Sequence, residues 1–215
     1  MALIIDRAVM GPFQVNTYLL MDTETRDAWI VDAGGDAAAV DAMVRRHGAR
    51  VSAVAATHGH IDHVAGASPA CEAYGVPFVM HAGDKSLVSS LRLQASMFGY
   101  PDTPVPKMDR FWNDWEPIEI GSCHGVVVPT PGHTPGGVCL WFERDGILLT
   151  GDTLFAGSVG RTDLPGGDGA QLLQSIRDRL YPLPGNPVFY PGHGGIGRLE
   201  HERRTNPFVR QKGAF

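Results

Sequence analysis

A dense cluster of potential metal ligands, Thr57-His58-Gly59-His60-Ile61-Asp62-His63, sets the strongest limit on how this chain folds. It directly follows the apolar run 51–56, which has the pattern of a buried strand. In extended backbone, residues i and i+2 project to the same side, so the first two histidines can reach one cation. The aspartate and the last histidine, where the chain turns into a helix, can then face a second cation. Because several imidazoles and a carboxylate are costly to bury together without a cation, the segment predicts a site for two metal ions.

Size, composition and charge exclude several classes of function. The 215 residues, 43% hydrophobic and 19% charged, predict one globular domain over residues 1–215. The formal charge of −5 and the lack of a lysine- or arginine-rich stripe argue against a nucleic-acid partner. No run has the length of a membrane span or of a signal-peptide core, so we expect no membrane partner and a cytoplasmic location. Reduced thiols in that compartment are expected for the widely spaced Cys71, Cys123 and Cys139.

Hydrophobic periodicity and turn residues predict an alternation of strands and helices. Strands are predicted over residues 3–10, 13–21, 28–31, 51–56, 77–80, 118–120, 125–128, 138–142, 147–150 and 188–190. Helices are predicted over residues 37–47, 63–74, 85–91, 169–180 and 199–205. The rest of the region 84–113, which holds three prolines, is expected to form a loop over the site, with Met97, Phe98 and Tyr100 as candidate lining residues.

Three more candidate ligands, His133, Asp152 and His193, follow or separate predicted strands. Each is flanked by glycine or proline, in positions where a rigid sheet presents side chains from a loop. Taken singly, each is equally compatible with an ordinary turn residue. Their occurrence after the first cluster predicts that distant segments converge on one metal centre. Asp32, at the end of the strand 28–31, is a candidate for a carboxylate that orients the ligands.

Together these motifs resemble the metallo-β-lactamase superfamily. Within it, they are most similar to the small single-domain bacterial proteins of the glyoxalase II, or hydroxyacylglutathione hydrolase, branch. The resemblance spans about residues 13–208 and rests on Thr57–His63, Pro131–Gly136, Gly151–Phe155 and Pro191–Gly194. It implies an α/β fold, a four-layer αββα sandwich with the metals at one edge of its two sheets. It also implies that the C-terminal helical domain with which classical glyoxalase II holds glutathione is missing.

The resemblance assigns a role to each candidate residue. It implies a first metal held by His58, His60 and His133, a second held by Asp62, His63 and His193, and Asp152 bridging both. Asp62 and Asp152 are the expected catalytic residues, and Asp32 is expected to orient the histidine segment. The cofactors would be two divalent ions; zinc is the expected metal, and the bridging carboxylate also tolerates iron or manganese.

The activity implied is hydrolysis of acyl-glutathione, such as S-lactoylglutathione, or of a related small thioester. In this chemistry a water shared by two cations loses its proton near neutral pH and attacks the acyl carbon. Arg161 matches the family's basic contact to a glutathione carboxylate and is the candidate substrate-binding residue. An ion pair with a nearby carboxylate explains Arg161 equally well, and Asp163 and Gly195 stand where the family often has tyrosines that contact glutathione.

Two other activities fit the same motifs. One is a glutathione persulfide dioxygenase with a single iron, for which the ligands would be His58, His133 and Asp152. The other is hydrolysis of a different ester or of a lactone on the two-metal centre. The acyl and thiol parts of the substrate, the native metal and the oligomeric state are left open by the residues alone.

Overall fold

Two six-stranded β-sheets form the centre of the structure, a computed structural model that describes residues 2–210. The first sheet has the order β1-β2-β3-β4-β5-β6, and its strands are β1 (Leu3–Met10), β2 (Val15–Asp22), β3 (Asp27–Val31), β4 (Arg50–Ala55), β5 (Phe78–His81) and β6 (Met108–Trp112). The second sheet has the order β14-β13-β10-β9-β8-β7, with β7 (Pro117–Ile120), β8 (Cys123–Pro129), β9 (Val138–Phe142), β10 (Ile147–Gly151), β13 (Val188–Pro191) and β14 (Gly197–Arg198). The short strands β11 (Leu154–Phe155) and β12 (Ser158–Val159) form a separate hairpin.

Seven helices connect or follow these strands in the described chain. They are α1 (Ala37–His47), α2 (Ile61–Val64), α3 (Ala67–Tyr74), α4 (Lys85–Ser89), α5 (Leu91–Phe98), α6 (Gly169–Ser175) and α7 (Leu199–Thr205). As the sequence predicts, α1 begins after Asp36, whose side chain accepts from the Ala39 N–H at 3.0 Å. It ends at Gly48, which has the left-handed φ of 55° that glycine adopts readily.

Alternation along the strands creates three apolar cores and hence four layers. On β2, Leu19 and Met21 face a core shared with α1 and α3, whereas Tyr18 and Leu20 face the second sheet. A third core joins the outer face of the second sheet to α6 and α7, through residues such as Leu172. Layers of helix, sheet, sheet and helix follow from this burial, which confirms the predicted αββα sandwich.

The region 84–113 is more regular than the sequence predicts. The expected loop contains α5 and the edge strand β6. Leu91, Ala95 and Phe98 recur at helical spacing and pack against the first core, which stabilises α5 in spite of the prolines that follow. The prediction of an irregular segment was therefore wrong except for residues 99–107, where the three prolines lie.

Two predicted helices are interrupted. The helix predicted over 63–74 is divided into α2 and α3 at Gly66, where a Cβ would lie 2.8 Å from the backbone nitrogen of Gly35. This close approach of two backbones explains the break. The helix predicted over 169–180 is α-helical only to Ser175 and continues as a π-helical turn, Ile176–Leu180.

The three cysteines are free thiols, as expected. Within residues 2–210, no helix combines the length and the apolar character needed to cross a membrane.

Candidate metal centre

The predicted ligands all lie on loops or helix ends at one edge of the two sheets. His58 and His60 follow β4, and Asp62 and His63 occupy the first turn of α2. The second sheet supplies the others from the loop between β8 and β9 and from the ends of β10 and β13. The structure brings all seven together in three groups whose ligand atoms lie within 4.8 Å of one another: His58, His60 and His133; His58, His63 and Asp152; and Asp62, His63 and His193.

The first group is a triangle of imidazole nitrogens. His133 Nε2 lies 3.2 Å from His58 Nε2 and 2.9 Å from His60 Nδ1. The rings stand edge to face, with centroids 4.6–4.9 Å apart. Three imidazoles that turn nitrogen atoms toward one point form a donor set suited to a transition-metal ion.

The group of Asp62, His63 and His193, which we term the second group, combines imidazoles with a carboxylate. Asp62 Oδ2 lies 3.1 Å from His193 Nε2 and 3.6 Å from His63 Nε2. Asp152 stands between the two groups, because its Oδ1 lies 3.4 Å from His63 Nε2 and its Oδ2 lies 3.6 Å from His133 Nε2. Its carboxylate therefore has the position expected of a bridge.

In two of the ligand histidines, the nitrogen that faces away from the centre has a backbone partner. His133 Nδ1 donates to the Arg161 carbonyl at 2.6 Å, and His193 Nδ1 donates to the Phe13 carbonyl at 3.0 Å. Since a carbonyl only accepts, these contacts fix the ring tautomers and leave the Nε2 lone pairs directed inward. Histidine ligands of metals are commonly oriented in this way.

Asp32 contacts the histidine segment as the sequence predicts. Its carboxylate accepts from the Thr57 N–H at 2.7 Å and from Thr57 Oγ1 at 2.8 Å, and its Oδ2 lies 3.0 Å from His63 Nδ1. Asp32 has a φ of 57°, which is uncommon for a residue other than glycine. The strained backbone at this position directs the Asp32 carboxylate both toward Thr57, where the ligand segment begins, and toward the ligand His63.

Asp84, which sequence reasoning missed, joins the two loops that carry the first group. Its Oδ2 accepts from the Gly59 N–H at 2.8 Å and from Thr134 Oγ1 at 2.7 Å, while its Oδ1 accepts from the Gly136 N–H at 2.6 Å. The side chain is fully buried. The signal available in the sequence was the position of this acidic residue just after β5, a strand that ends at the ligand edge. The backbone groups that bind Asp84 cannot be identified from the sequence.

The pKa values of the buried histidines shift in opposite directions in the two groups. Burial and the neighbouring imidazoles lower the pKa of His58 well below its ordinary value, and burial lowers that of His60 to about 4. Burial alone would lower the pKa of His63 as well, but Asp32, Asp62 and Asp152 raise it well above its ordinary value. His58 and His60 are therefore neutral imidazoles, whereas His63 is coupled to anions.

The carboxylates of the centre stay ionised in spite of their burial. Burial by itself raises the pKa of Asp152, but His63, His133 and His193 lower it far below its ordinary value. The pKa of Asp62 is lowered in the same way by His63 and His193, against the effect of burial. An ionised carboxylate is the protonation state that metal binding requires of these two residues.

The donor set fits divalent cations. Asp152 Oδ1 is buried and has no hydrogen-bond partner among the described residues, although it faces imidazole nitrogens. Gly192 lies against the same oxygen, and a Cβ at this position would be 2.2 Å from Asp152 Oδ1 and 2.6 Å from His63 Cε1. A cation would satisfy the orphaned carboxylate oxygen, and the side-chain-free backbone keeps the space around it open.

A cavity of about 430 Å³ opens beside the ligands. Asp62, Asp152, His193 and Phe98 are among the residues that line it. Arg161 also lines the cavity, but its guanidinium donates twice to Asp163, at 2.7 Å to each carboxylate oxygen. The ion pair that the sequence left open for Arg161 is thus present.

Comparisons with known proteins agree with this geometry. The sequence pattern described as "Metallo-beta-lactamase superfamily" matches residues 10–193. A relative from Haemophilus influenzae named hydroxyacylglutathione hydrolase GloC is 35% identical over 202 residues, which cover 93% of this chain and 95% of the relative. A relative from Bacillus subtilis named probable metallo-hydrolase YqgX is 32% identical over 205 residues, which cover 94% of this chain and 96% of the relative.

One solved structure is similar to this chain in both fold and sequence. The crystal structure of TTHA1623 in a di-iron-bound form has a TM-score of 0.86 and 33% identity, and the match covers 95% of this chain and all of that one. With the three ligand groups, these similarities support a metal-dependent hydrolase that uses divalent ions. The chain belongs to the metallo-beta-lactamase superfamily.

Proposed function

We propose that the chain hydrolyses small thioesters at a centre of two divalent cations, and that acyl-glutathione such as S-lactoylglutathione is the first substrate to test. One observation carries the proposal: Asp152 lies between the first and the second ligand group and lines a cavity large enough for a small substrate. The relative named hydroxyacylglutathione hydrolase supports the choice of thioester.

The proposed ligands divide between two cations. His58, His60 and His133 would hold the first, Asp62, His63 and His193 the second, and Asp152 would contact both. When bound, such a pair supplies Lewis acidity toward a carbonyl oxygen and lowers the pKa of water. Zinc is the metal we propose, and the di-iron-bound relative makes iron the principal competitor.

The chain's own residues supply orientation and charge. Asp62 lines the cavity with an ionised carboxylate and can accept a proton there. Asp32 and the carbonyls of Phe13 and Arg161 hold the imidazoles in fixed directions, so little reorganisation is needed when substrate binds. The net reaction consumes one water, breaks the carbon–sulfur bond and releases a carboxylic acid and a thiol. A thiolate leaves readily, so no general acid beside the sulfur is required.

Metal content and activity measured on the same preparation test this proposal. We expect about two metal ions per chain by mass spectrometry and release of thiol from S-lactoylglutathione. Metal-loaded protein without thioesterase activity would exclude the proposal. Consumption of oxygen with glutathione persulfide, at one iron per chain, would instead establish the dioxygenase.

A further inference from the structure

The wall of the cavity beside the ligands is apolar over most of its extent. Six of its lining side chains are hydrocarbon: Phe13, Ile61, Phe98, Phe155, Val159 and Leu164. They come from the β1–β2 turn, from α2 and α5, and from the β11–β12 hairpin with the loop after it. Such a wall favours binding of an apolar group, since burying hydrocarbon surface is favourable whatever its exact shape.

Phe13 links this wall to the ligands. Its ring packs edge to face on Phe98 with centroids 5.9 Å apart, and it lies 5.7 Å from the ring of Tyr100. Its carbonyl accepts from His193 Nδ1 at 3.0 Å. Phe13 is 45% exposed, but both its ring and its carbonyl have partners. The aromatic side chains of the wall therefore lie at a fixed distance from His193.

The cavity offers little for a charged substrate. Apart from the proposed metal ligands, the one charged side chain among the described residues that line it is Arg161, and its guanidinium fork is taken by both oxygens of Asp163. The amide of Gln94, another lining residue, is also committed, because it accepts from the Ile61 N–H and donates to the carbonyls of Gly59 and Leu87. Apart from the proposed metal centre, the two carboxylates of glutathione therefore find no cationic side chain without an ionic partner among the described residues that line the cavity.

From this contrast we infer that the preferred substrate carries an apolar acyl group, aliphatic or aromatic, and that the thiol part contributes little to recognition. The inference rests on the thioester hydrolysis proposed above. It places the acyl group against Phe13, Phe98 and Phe155, with its carbonyl toward Asp62 and Asp152. A lactoyl group, small and hydroxylated, would leave most of this wall in contact with water.

A matrix of four substrates tests the inference. Lactoyl and phenylacetyl thioesters are each prepared with glutathione and with the uncharged thiol N-acetylcysteamine, and kcat/KM is measured for all four with the metal-loaded protein. We expect the phenylacetyl thioesters to be preferred by about tenfold or more on either thiol, as for a few methylene groups in an apolar pocket. Exchange of the thiol should change kcat/KM less than about threefold. A preference for lactoyl, or a loss of about tenfold without glutathione, would overturn the inference while leaving thioester hydrolysis intact.

Three variants, one of them a control, locate the effect. Phe98→Ala should lower the preference for phenylacetyl over lactoyl by about tenfold, whereas Leu93→Ala, on the exposed face of the same helix, should leave it unchanged. Arg161→Met should change KM for lactoylglutathione less than about threefold, because the His133 contact is made by the Arg161 backbone. An unchanged preference in Phe98→Ala, or a rise of tenfold or more in KM with Arg161→Met, would contradict the assignment.

Binding of the reaction products distinguishes failure of the proposed thioester hydrolysis from failure of the inferred preference for an apolar acyl group. If none of the four thioesters is hydrolysed, the proposed function fails. Calorimetry of phenylacetate and lactate with the metal-loaded protein then tests the cavity by itself. Tighter binding of phenylacetate that is lost in Phe98→Ala would support an apolar ligand, and equal or tighter binding of lactate would exclude one.

Discussion

The Asp84 carboxylate accepts a hydrogen bond from the Gly59 N–H at 2.8 Å, inside the ligand segment itself. The same side chain accepts from Thr134 and Gly136, next to His133. One buried anion thus ties the two loops that supply the first group of imidazoles. The short helical turn 82–84, which carries Asp84, holds none of the proposed metal ligands. Asp84 therefore connects the two ligand loops through its hydrogen bonds.

Replacing Asp84 should therefore loosen the first group. Asp84→Asn places an NH₂ group where only acceptors fit, and at least one buried donor loses its partner, at a cost of about 3 kcal/mol in the free energy of unfolding. We expect a loss of about one metal ion per chain by mass spectrometry, and lower stability of the metal-free protein in urea. Asp102→Asn, at an exposed position, is the control. Full metal content in Asp84→Asn would show that the tie is not needed.

Asp152→Ala should remove at least one metal ion per chain. The substitution takes away the carboxylate that faces both ligand groups and leaves the imidazoles of His63 and His133 without its charge. Metal content of the purified variant checks this expectation against Glu143→Ala, an exposed acidic position in the turn after β9. If Asp152→Ala retained two ions, the bridging role would be wrong.

Gly192→Ala should disturb the centre without removing any ligand. The added methyl would lie 2.2 Å from Asp152 Oδ1 and 2.6 Å from His63 Cε1, so one of these side chains must move. Overpacking of this kind costs about 1–3 kcal/mol, and we expect weaker metal binding in titrations followed by calorimetry. Gly195→Ala is a matched control, since its Cβ would meet nothing within 4 Å. Equal metal affinities of the two variants would contradict the packing argument.

A pH-dependent contribution to stability is expected from Asp22, far from the metal centre. Its carboxylate accepts from the Ser122 N–H at 2.6 Å, from Ser122 Oγ at 2.8 Å and from the Glu24 N–H at 2.8 Å. The Ser122 N–H is the largest cause that holds the pKa of Asp22 below its ordinary value; burial opposes it, and the remaining hydrogen bonds lower the pKa further. Because the pKa is depressed in the folded state, the stabilisation is present above about pH 4 and is lost as the pH falls below it.

Urea unfolding of the metal-free protein between pH 3 and pH 7 checks this expectation. Asp22→Asn should be less stable than the parent chain at pH 7, and the difference should shrink as the pH falls toward 3. Asp102→Asn, at a largely exposed position, is the control. A difference that is independent of pH would mean that Asp22 acts through shape and not through charge.

The resemblance to the superfamily predicted the fold and implied the grouping of ligands, and the motifs that carry this resemblance are short and local. Strand alternation and the ligand motifs each lie within a few residues, and glycine or proline marks the turns that carry His133 and His193. The convergence of those motifs is what the structure adds, and metal binding by the seven residues stays a prediction for the experiments above.

What the sequence missed depends on contacts between distant segments. Asp84 is an ordinary acidic residue until Gly59 and Gly136 turn their N–H groups toward it. Helix α5 was missed because the prolines after it outweighed the helical spacing of Leu91 and Ala95 in a local reading. The interruption at Gly66 likewise follows from its contact with Gly35, for which a single sequence holds no sign.

Asn16, near the start of the chain, holds the loop that carries the last ligand. Its N–H donates to the Gly192 carbonyl at 2.7 Å, and its side chain donates to the Pro191 carbonyl at 2.8 Å. These hydrogen bonds join the first hairpin to the end of β13, just before His193. The proposed ligand group of Asp62, His63 and His193 is therefore complete only when these two segments, which are distant in sequence, have docked on each other.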